Sequence, residues 1–542
     1  MTLIGRTRME ADLADLLAKV LPTGVEITVR HVSSTPTPCE ALFAAAPGQV
    51  SEPTFCENHF LSVSIDPNDD GETIIFGMEV LVYNTAHLTT IFISKADSTG
   101  LLHLLKLPRK VSILRLVSNT FLSFLARTRQ RPGVRLVVSL FARAQNQYLF
   151  PGSIENAEKH VLDDRGLIKW WCRVLDPILR EHEPESNLQE PKALDQTVEA
   201  AKASATAYLI VPSCDRFETR NFFPPTVKND AQDRPRWLNS YPLKQLYHDP
   251  SAPPRCLVPR FPDDPKTRFL VDLDDELPGE NEAQPDAPNS GRWRSVRSLD
   301  QFWEMMSFRQ ECSAGRLVGF LWLVINPPGL MNSTSMESQT RGSSDNGLVL
   351  NGTEISGAIP NEQKVNNGSS QPEETTTMTK ATTISMAADT SPKLPRDDGS
   401  STANPFDWPE AGRGQVVLSE ADYKKMMDSV LDHFYDEKEV VASTRVYVDQ
   451  VSSLADELTW GKKVVGSNTT SSATAPPANT NINNVLDLGL VRKRKKSLGE
   501  GNTPVVNETQ APSESGDAQP APSELAGVNV LNSSLVRKKK KT

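Results

Sequence analysis

Cysteine, aromatic residues and long apolar runs are all scarce in this chain. The six cysteines, Cys39, Cys56, Cys172, Cys214, Cys256 and Cys312, are scattered and never form a CxxC pair. That excludes the usual zinc-ligand spacings and a secreted disulfide framework, and it fits a reducing, intracellular setting. No stretch is long and apolar enough to span a membrane, and the N-terminal MTLIGRTRMEADLADLL has no apolar core of a secretory leader. A glycine-rich phosphate loop of the GxGxxG or Walker type is also missing. The formal charge of −10 disfavours non-specific DNA binding and suits a basic partner.

What is present divides the 542 residues by composition. Residues 1–328 carry the periodic segments: a helix from Leu13 to Val20, strands over His59–Asp66, Thr73–Asn84 and Leu88–Lys95, and a helix from Val111 to Leu125. The three strands read as a meander ending in a loop that carries Asp97. Then come a strand from Val134 to Ala142, a helix from Asp164 to about Leu179 capped by Asp163 or Asp164, a helix from Ser298 through Arg309, and a strand over Gly315–Ile325. Pro177 is placed to kink or end the helix that contains it. Residues 329–412 are rich in Ser, Thr, Asn and Gly, which predicts a disordered insertion; helices resume over 413–462, from Ser419, and complete the first body. The fold class expected is mixed α/β (α+β), a central mixed sheet surrounded by helices.

The tail, 463–542, is again polar and low in complexity, with a repeat at an offset of 45 residues: NVLDLGLVRKRKK and NVLNSSLVRKKKK. Their basic clusters, Arg492, Lys493, Arg494, Lys495 and Lys496, then Arg537, Lys538, Lys539, Lys540 and Lys541, read as nuclear-localisation or acidic-partner signals. Solvated tails are the plain alternative.

Three motifs stand out: TTIFISKADSTG (Thr89 to Gly100), QYLFPGSIENAEKHVLDDRGLIKWW (Gln147 to Trp171) and RFPDDPKTRF (Arg260 to Phe269). Each has an ordinary reading. Asp97 sits in turn chemistry, Trp171 lies on the apolar face of its helix, His160 is a helix-surface or core histidine, and the two prolines around Asp263 and Asp264 describe a held loop that presents Lys266.

Together the three motifs resemble the fungal histone H3 lysine acetyltransferases first named for the regulation of Ty transposition, distant structural relatives of the CREB-binding-protein acetyltransferase. The resemblance implies acetyl-CoA as donor and no metal. It puts Asp97 and the Trp171 wall of a substrate-lysine tunnel at the catalytic centre, together with the carboxylates of Asp263 and Asp264. It implies that Ser94, Lys95, Ala96, Phe141, Arg143, Tyr148, Leu149, His160 and Trp170 line the cofactor, and that Lys266 is acetylated by the enzyme itself. The expected substrate is newly made histone H3, with H4, at a core lysine just before the histone fold and at tail lysines. Histone chaperones of the nucleosome-assembly and anti-silencing classes are the expected partners, in the nucleus, during replication-coupled assembly and DNA-damage tolerance; no membrane and no sequence-specific DNA contact are expected. The family's long loop before the strand at Val134 is cut here to Ala126–Gly133. The rival expectation is a non-catalytic histone-binding scaffold.

Overall fold

The computed structural model describes residues 12–469 apart from 68–70, 108–110, 186–201, 248, 278–290, 314, 329 and 331–403; both basic repeats and most of the expected insertion lie outside the described residues. The run Thr73–Asn84 is buried at every position, and this is why it reads as continuously apolar: a strand covered on both faces has no polar side. It is β4. Before it come α1 (Leu13–Val20), β1 (Glu26–Ser34), β2 (Thr37–Cys39) and β3 (Thr54–Ile65). After it come β5 (Leu88–Ser98), α2 (Ile113–Arg129), β6 (Arg135–Arg143), α3 (Asp164–Arg180), β7 (Ser204–Ile210), α4 (Arg216–Arg220), β8 (Trp237–Leu238), α5 (Leu243–Leu246), α6 (Pro265–Asp274), α7 (Leu299–Met306) and β9 (Val318–Asn326). The chain returns through β10 (Val416–Leu418), α8 (Glu420–Asp432), α9 (Val440–Ala455) and β11 (Lys462–Val465).

The strands form one mixed sheet in the order β10-β1-β3-β4-β5-β6-β9-β7-β8, with β11 also on β1 and β2 on β3. Pairing is antiparallel except for β1 with β10, β5 with β6, and β7 with β8. Across β5, β6 and β9 the two faces are distinct. Ile91, Ile93, Leu136, Val138, Leu140, Leu321 and Leu323 share one core with α2 and α3, whereas Phe92, Val137, Phe141, Phe320, Trp322 and Val324 share the other with α6 and α7. The returning helices are tied to the sheet as well: Tyr447 on α9 meets Ser62 at 3.1 Å, and the Ile74 N–H donates to Thr444 at 3.0 Å.

Several expectations need correction. Asp97 lies within β5, opposite Gly77, and not in a loop beyond it. The segment Arg260–Phe269 is no held loop at Lys266: Pro265 and Lys266 open α6, because proline is well suited to a first helical position and Asp264 caps the end by accepting from the Lys266 N–H at 2.8 Å. α3 agrees with its expected bounds, running from Asp164 to Arg180 with Pro177 inside it. α2 absorbs part of the short Ala126–Gly133 link by running to Arg129. Residues 404–412, placed in the insertion by composition, are packed: Phe406 meets Phe55 edge-on at 5.8 Å, and the Trp408 indole donates to Glu57 at 2.9 Å. The sheet likewise extends past residue 462, through β11. No strand is expected from the sequence at β1, β2, β7, β8, β10 or β11.

Candidate active site

β5 and β6 pair only from Leu88 opposite Arg135 to Ile93 opposite Leu140. Beyond that point β5 follows β4 as far as Ser98, and β6 follows β9 as far as Arg143. The parting begins at a bulge: Val80 faces Ile93 but Glu79 faces Lys95, leaving Ser94 as the extra residue. A bulge bends and twists its strand, so β5 swings off β6 and a gap opens in the middle of the sheet. Ser94, Lys95 and Ala96 follow the parting on β5, with no strand partner towards β6 among the described residues; Phe141 and Arg143 follow it on β6. Tyr148 spans the mouth, its hydroxyl donating to the Arg143 carbonyl and its N–H to Asp97 at 2.7 Å. Burial pushes the Tyr148 phenol up, against a smaller opposing pull from Arg143.

Asp97 holds that turn in place. Its Oδ2 accepts from the N–H groups of Tyr148, Leu149 and Phe150 at 2.7, 3.0 and 3.3 Å; its Oδ1 accepts from Ser98 N–H at 2.8 Å and pairs with Lys159 Nζ at 3.0 Å. Both side chains of the pair are buried, 8 % and 4 % exposed. The carboxylate is thus saturated with donors, which suits an anchor better than a proton acceptor. Two glycines allow the approach. A Cβ on Gly77 would lie 2.8 Å from Phe150, and one on Gly100, at φ 86°, would lie 2.5 Å from the Lys159 backbone. Leu149 is fully buried below Gly77.

On the α6 face, Lys266 is 1 % exposed. Its ammonium pairs with Asp264 and lies 4.4 Å from the Phe320 ring centre, with Phe261 and Trp322 at 5.9 and 6.0 Å. Burial lowers its pKa below the ordinary lysine range, and the pull of Asp264 in the other direction does not restore it. The indole N–H groups of Trp303 and Trp322, whose rings lie 6.0 Å apart, find no acceptor among the described residues. Asp263 adopts a left-handed backbone at φ 57°, and Lys95 reaches it at 3.5 Å while also pairing with Glu79 at 3.0 Å. Pieces of the first and third motifs therefore touch through Lys95 and Asp263, and those of the first and second through Asp97.

Trp171 is packed at 5 % exposure in the core of the α2 and α3 face, with Trp170 edge-on at 4.8 Å. Ile168, one turn earlier, sits over Gly319, where a Cβ would come within 2.8 Å. The N-terminal end of α3 adjoins the gap, since Asp164 accepts from Ala144 N–H at 3.3 Å and Leu317 N–H at 3.0 Å. His160 is exposed. A cavity of about 560 Å³ lined by Arg180, Asp230, Arg234 and Arg236 lies at the other end of α3, roughly 24 Å along a helix of this length from Asp164; Arg180 is taken up by Asp230 at 2.8 Å and Arg236 by the carbonyls of Leu179 and His182 at 2.9 and 2.7 Å. Two residues of the centre were missed in the sequence. Lys159 gave no signal because its counter-ion is distant in the chain, but Glu79 did: it is the one charge in the apolar run Thr73–Asn84.

A profile of the histone acetyltransferase KAT11-type domain matches residues 13–134 and 131–450. A histone acetyltransferase rtt109 of Aspergillus flavus is 55 % identical over 99 % of this chain and 100 % of its own length. One of Schizosaccharomyces pombe is 30 % identical over 57 % of this chain and 71 % of that protein. Among solved structures, the crystal structure of Rtt109 from Aspergillus fumigatus matches with a TM-score of 0.69 at 59 % identity, covering 84 % of this chain and all of that one.

Proposed function

From the premise that the chain belongs to the KAT11-type histone acetyltransferase family, and is a histone lysine acetyltransferase, we propose that the gap between β5 and β6 holds the acetyl-CoA donor. The parting of the two strands carries this reading. An unpaired strand edge at Ser94–Ala96 suits the amide-rich arm of coenzyme A, Arg143 suits its phosphates, Phe141, Tyr148, His160 and Trp170 supply flat contact, and the fully buried Leu149 backs the turn behind Tyr148. The coenzyme supplies the activated thioester; the protein's part is to hold an acceptor lysine beside it as a free amine. At an ordinary pKa near 10.4 that costs about 4 to 5 kcal/mol at neutral pH. A dry wall lowers the cost by disfavouring the ammonium, and Trp171 is the proposed wall. Asp97 acts by fixing the turn at Tyr148–Phe150, and Asp263 and Asp264 by shaping the start of α6.

Lys266 is read as a site of self-acetylation. The modification removes a buried cation; the new amide N–H can donate to Asp264, and its carbonyl introduces an acceptor where two indole N–H groups have none. The proposed substrate is newly made histone H3 with H4, at the core lysine preceding the histone fold and at tail lysines, presented by chaperones of the nucleosome-assembly and anti-silencing classes during replication-coupled assembly and DNA-damage tolerance. The basic repeats at Arg492–Lys496 and Arg537–Lys541 are the proposed nuclear-import signals.

The test is transfer from radiolabelled acetyl-CoA to H3–H4 with a chaperone present. Wild type is expected to label H3, with Asp97→Asn and Trp171→Ala slower by about a hundred-fold, the scale set by misplacing a reacting group by an ångström. Peptide mass spectrometry is expected to find an acetyl group on Lys266. Full activity in both variants would remove the site assignment.

A further inference from the structure

Glu79 is 8 % exposed and lies directly below the bulge. Its Oε2 accepts from the Ser94 hydroxyl at 2.8 Å and from Lys95 Nζ at 3.0 Å. Successive residues of a regular strand point to opposite faces, so one oxygen cannot ordinarily hold two neighbours. It does so here because the extra residue turns both side chains the same way. Lys95 then continues to Asp263 at 3.5 Å, next to the turn that opens α6.

We propose that Glu79 is a positioning residue for donor binding: by gripping both residues of the bulge it sets how far β5 bends from β6, and through Lys95 it ties that gap to the Asp263–Lys266 turn. The inference rests on the reading of the gap as the acetyl-CoA site. Burial disfavours the Lys95 ammonium, but the carboxylates of Glu79 and Asp263 outweigh it and raise the pKa, so the strut stays charged at neutral pH. Asp263 alone is a poor substitute partner, its side chain being 58 % exposed.

Calorimetric titration of the full chain with coenzyme A, together with steady-state kinetics, tests this. Glu79→Ala is expected to weaken coenzyme A binding and raise the KM for acetyl-CoA by about ten- to a hundred-fold, with a smaller change in kcat at saturating donor. Glu79→Gln keeps an acceptor for Ser94 but loses the charge facing Lys95, and should fall between. Glu72→Gln, which makes the same charge change where Glu72 pairs with Arg30, should leave coenzyme A binding unchanged. A wild-type dissociation constant in Glu79→Ala overturns the proposal, as does an equal weakening in Glu72→Gln. If Glu79→Ala does not fold, Ser94→Ala cuts the same grip from the other side and must weaken binding. Arg143→Ala separates the two layers of inference: binding that ignores Arg143 sinks the donor-site reading, whereas binding that responds to Arg143 but not to Glu79 sinks only the role of Glu79.

Discussion

Two clusters of buried charge lie in this fold, one around β1, β3 and α2, the other around β5 and α6. In the first, Glu57 takes Arg129 in a two-pronged pair at 2.7 and 2.9 Å and the Trp408 indole at 2.9 Å, with His59 at 3.3 Å; His59 in turn meets His31 at 2.9 Å, and Arg129 reaches the Ala411 carbonyl at 2.9 Å. The two ionised groups there, Glu57 and Arg129, are each other's counter-ions, so the cluster is complete in charge even though His59 Nε2 makes no hydrogen bond among the described residues, and it clamps the returning segment 404–413 onto the sheet. In the second, the Lys266 ammonium has one carboxylate and otherwise aromatic faces, two indole donors nearby go unanswered, and Asp263 is held in a left-handed backbone. A cluster complete in itself stabilises one arrangement. A cluster left incomplete retains a cost, and so can gain from a change of chemical state such as acylation.

Breaking the complete cluster should have the largest effect. Arg129→Met leaves Glu57 buried without its main partner and is expected to cost about 3 to 5 kcal/mol in chemical denaturation, with the KM for acetyl-CoA unchanged in the protein that remains folded. In the other cluster, removing both charges together, Asp264→Asn with Lys266→Met, should cost less than about 2 kcal/mol, since the cation that burial already disfavours goes with its counter-ion and the asparagine oxygen can still accept from the helix N-terminus. Equal losses in the two variants would erase the distinction between the clusters.

The same distinction explains how much could be read from the sequence. The central strands were legible because β3, β4 and β5 owe their placement to apolar runs bounded by turn residues, and α3 because Asp163 caps it, accepting from Gly166 N–H at 2.6 Å. β1 was missed because Arg30 and His31 interrupt its apolar pattern, although both are buried, Arg30 against Glu72 and His31 in the complete cluster. Their partners are dozens of residues away, so local periodicity could not show that these polar side chains belong inside. In the proposed site, the motifs suggest residues but carry no geometry. Proline and aspartate were read as a loop before Lys266, when the same residues are also what a helix start uses. The bulge at Ser94 depends on the register between β4 and β5, which one strand's sequence does not contain.

The smallest expected effect is the one that separates the clusters by pH. Burial holds the pKa values of His31 and His59 below the ordinary histidine value, with Arg129 adding to this in both; Glu57 pulls the other way without restoring either. Between about pH 6.5 and those lowered values the unfolded chain binds protons that the folded one refuses, so stability is full above 6.5 and declines as pH falls, by up to about 1.4 kcal/mol per unit for each histidine. Glu57 is held below its usual range by His59 and Arg129 against the effect of burial, and stays ionised through this window. Lys266, also lowered, shows its cost on the alkaline side: its penalty is present at neutral pH and is relieved as pH rises towards the ordinary lysine value, while Lys95, which is raised, runs the opposite way. Thermal melts from pH 5 to 10 on wild type, His31→Leu and Lys266→Met should therefore differ at opposite ends. His31→Leu flattens the acid limb and Lys266→Met alters only the alkaline one; if Lys266→Met changes the acid limb as much as His31→Leu does, the two clusters are not independent.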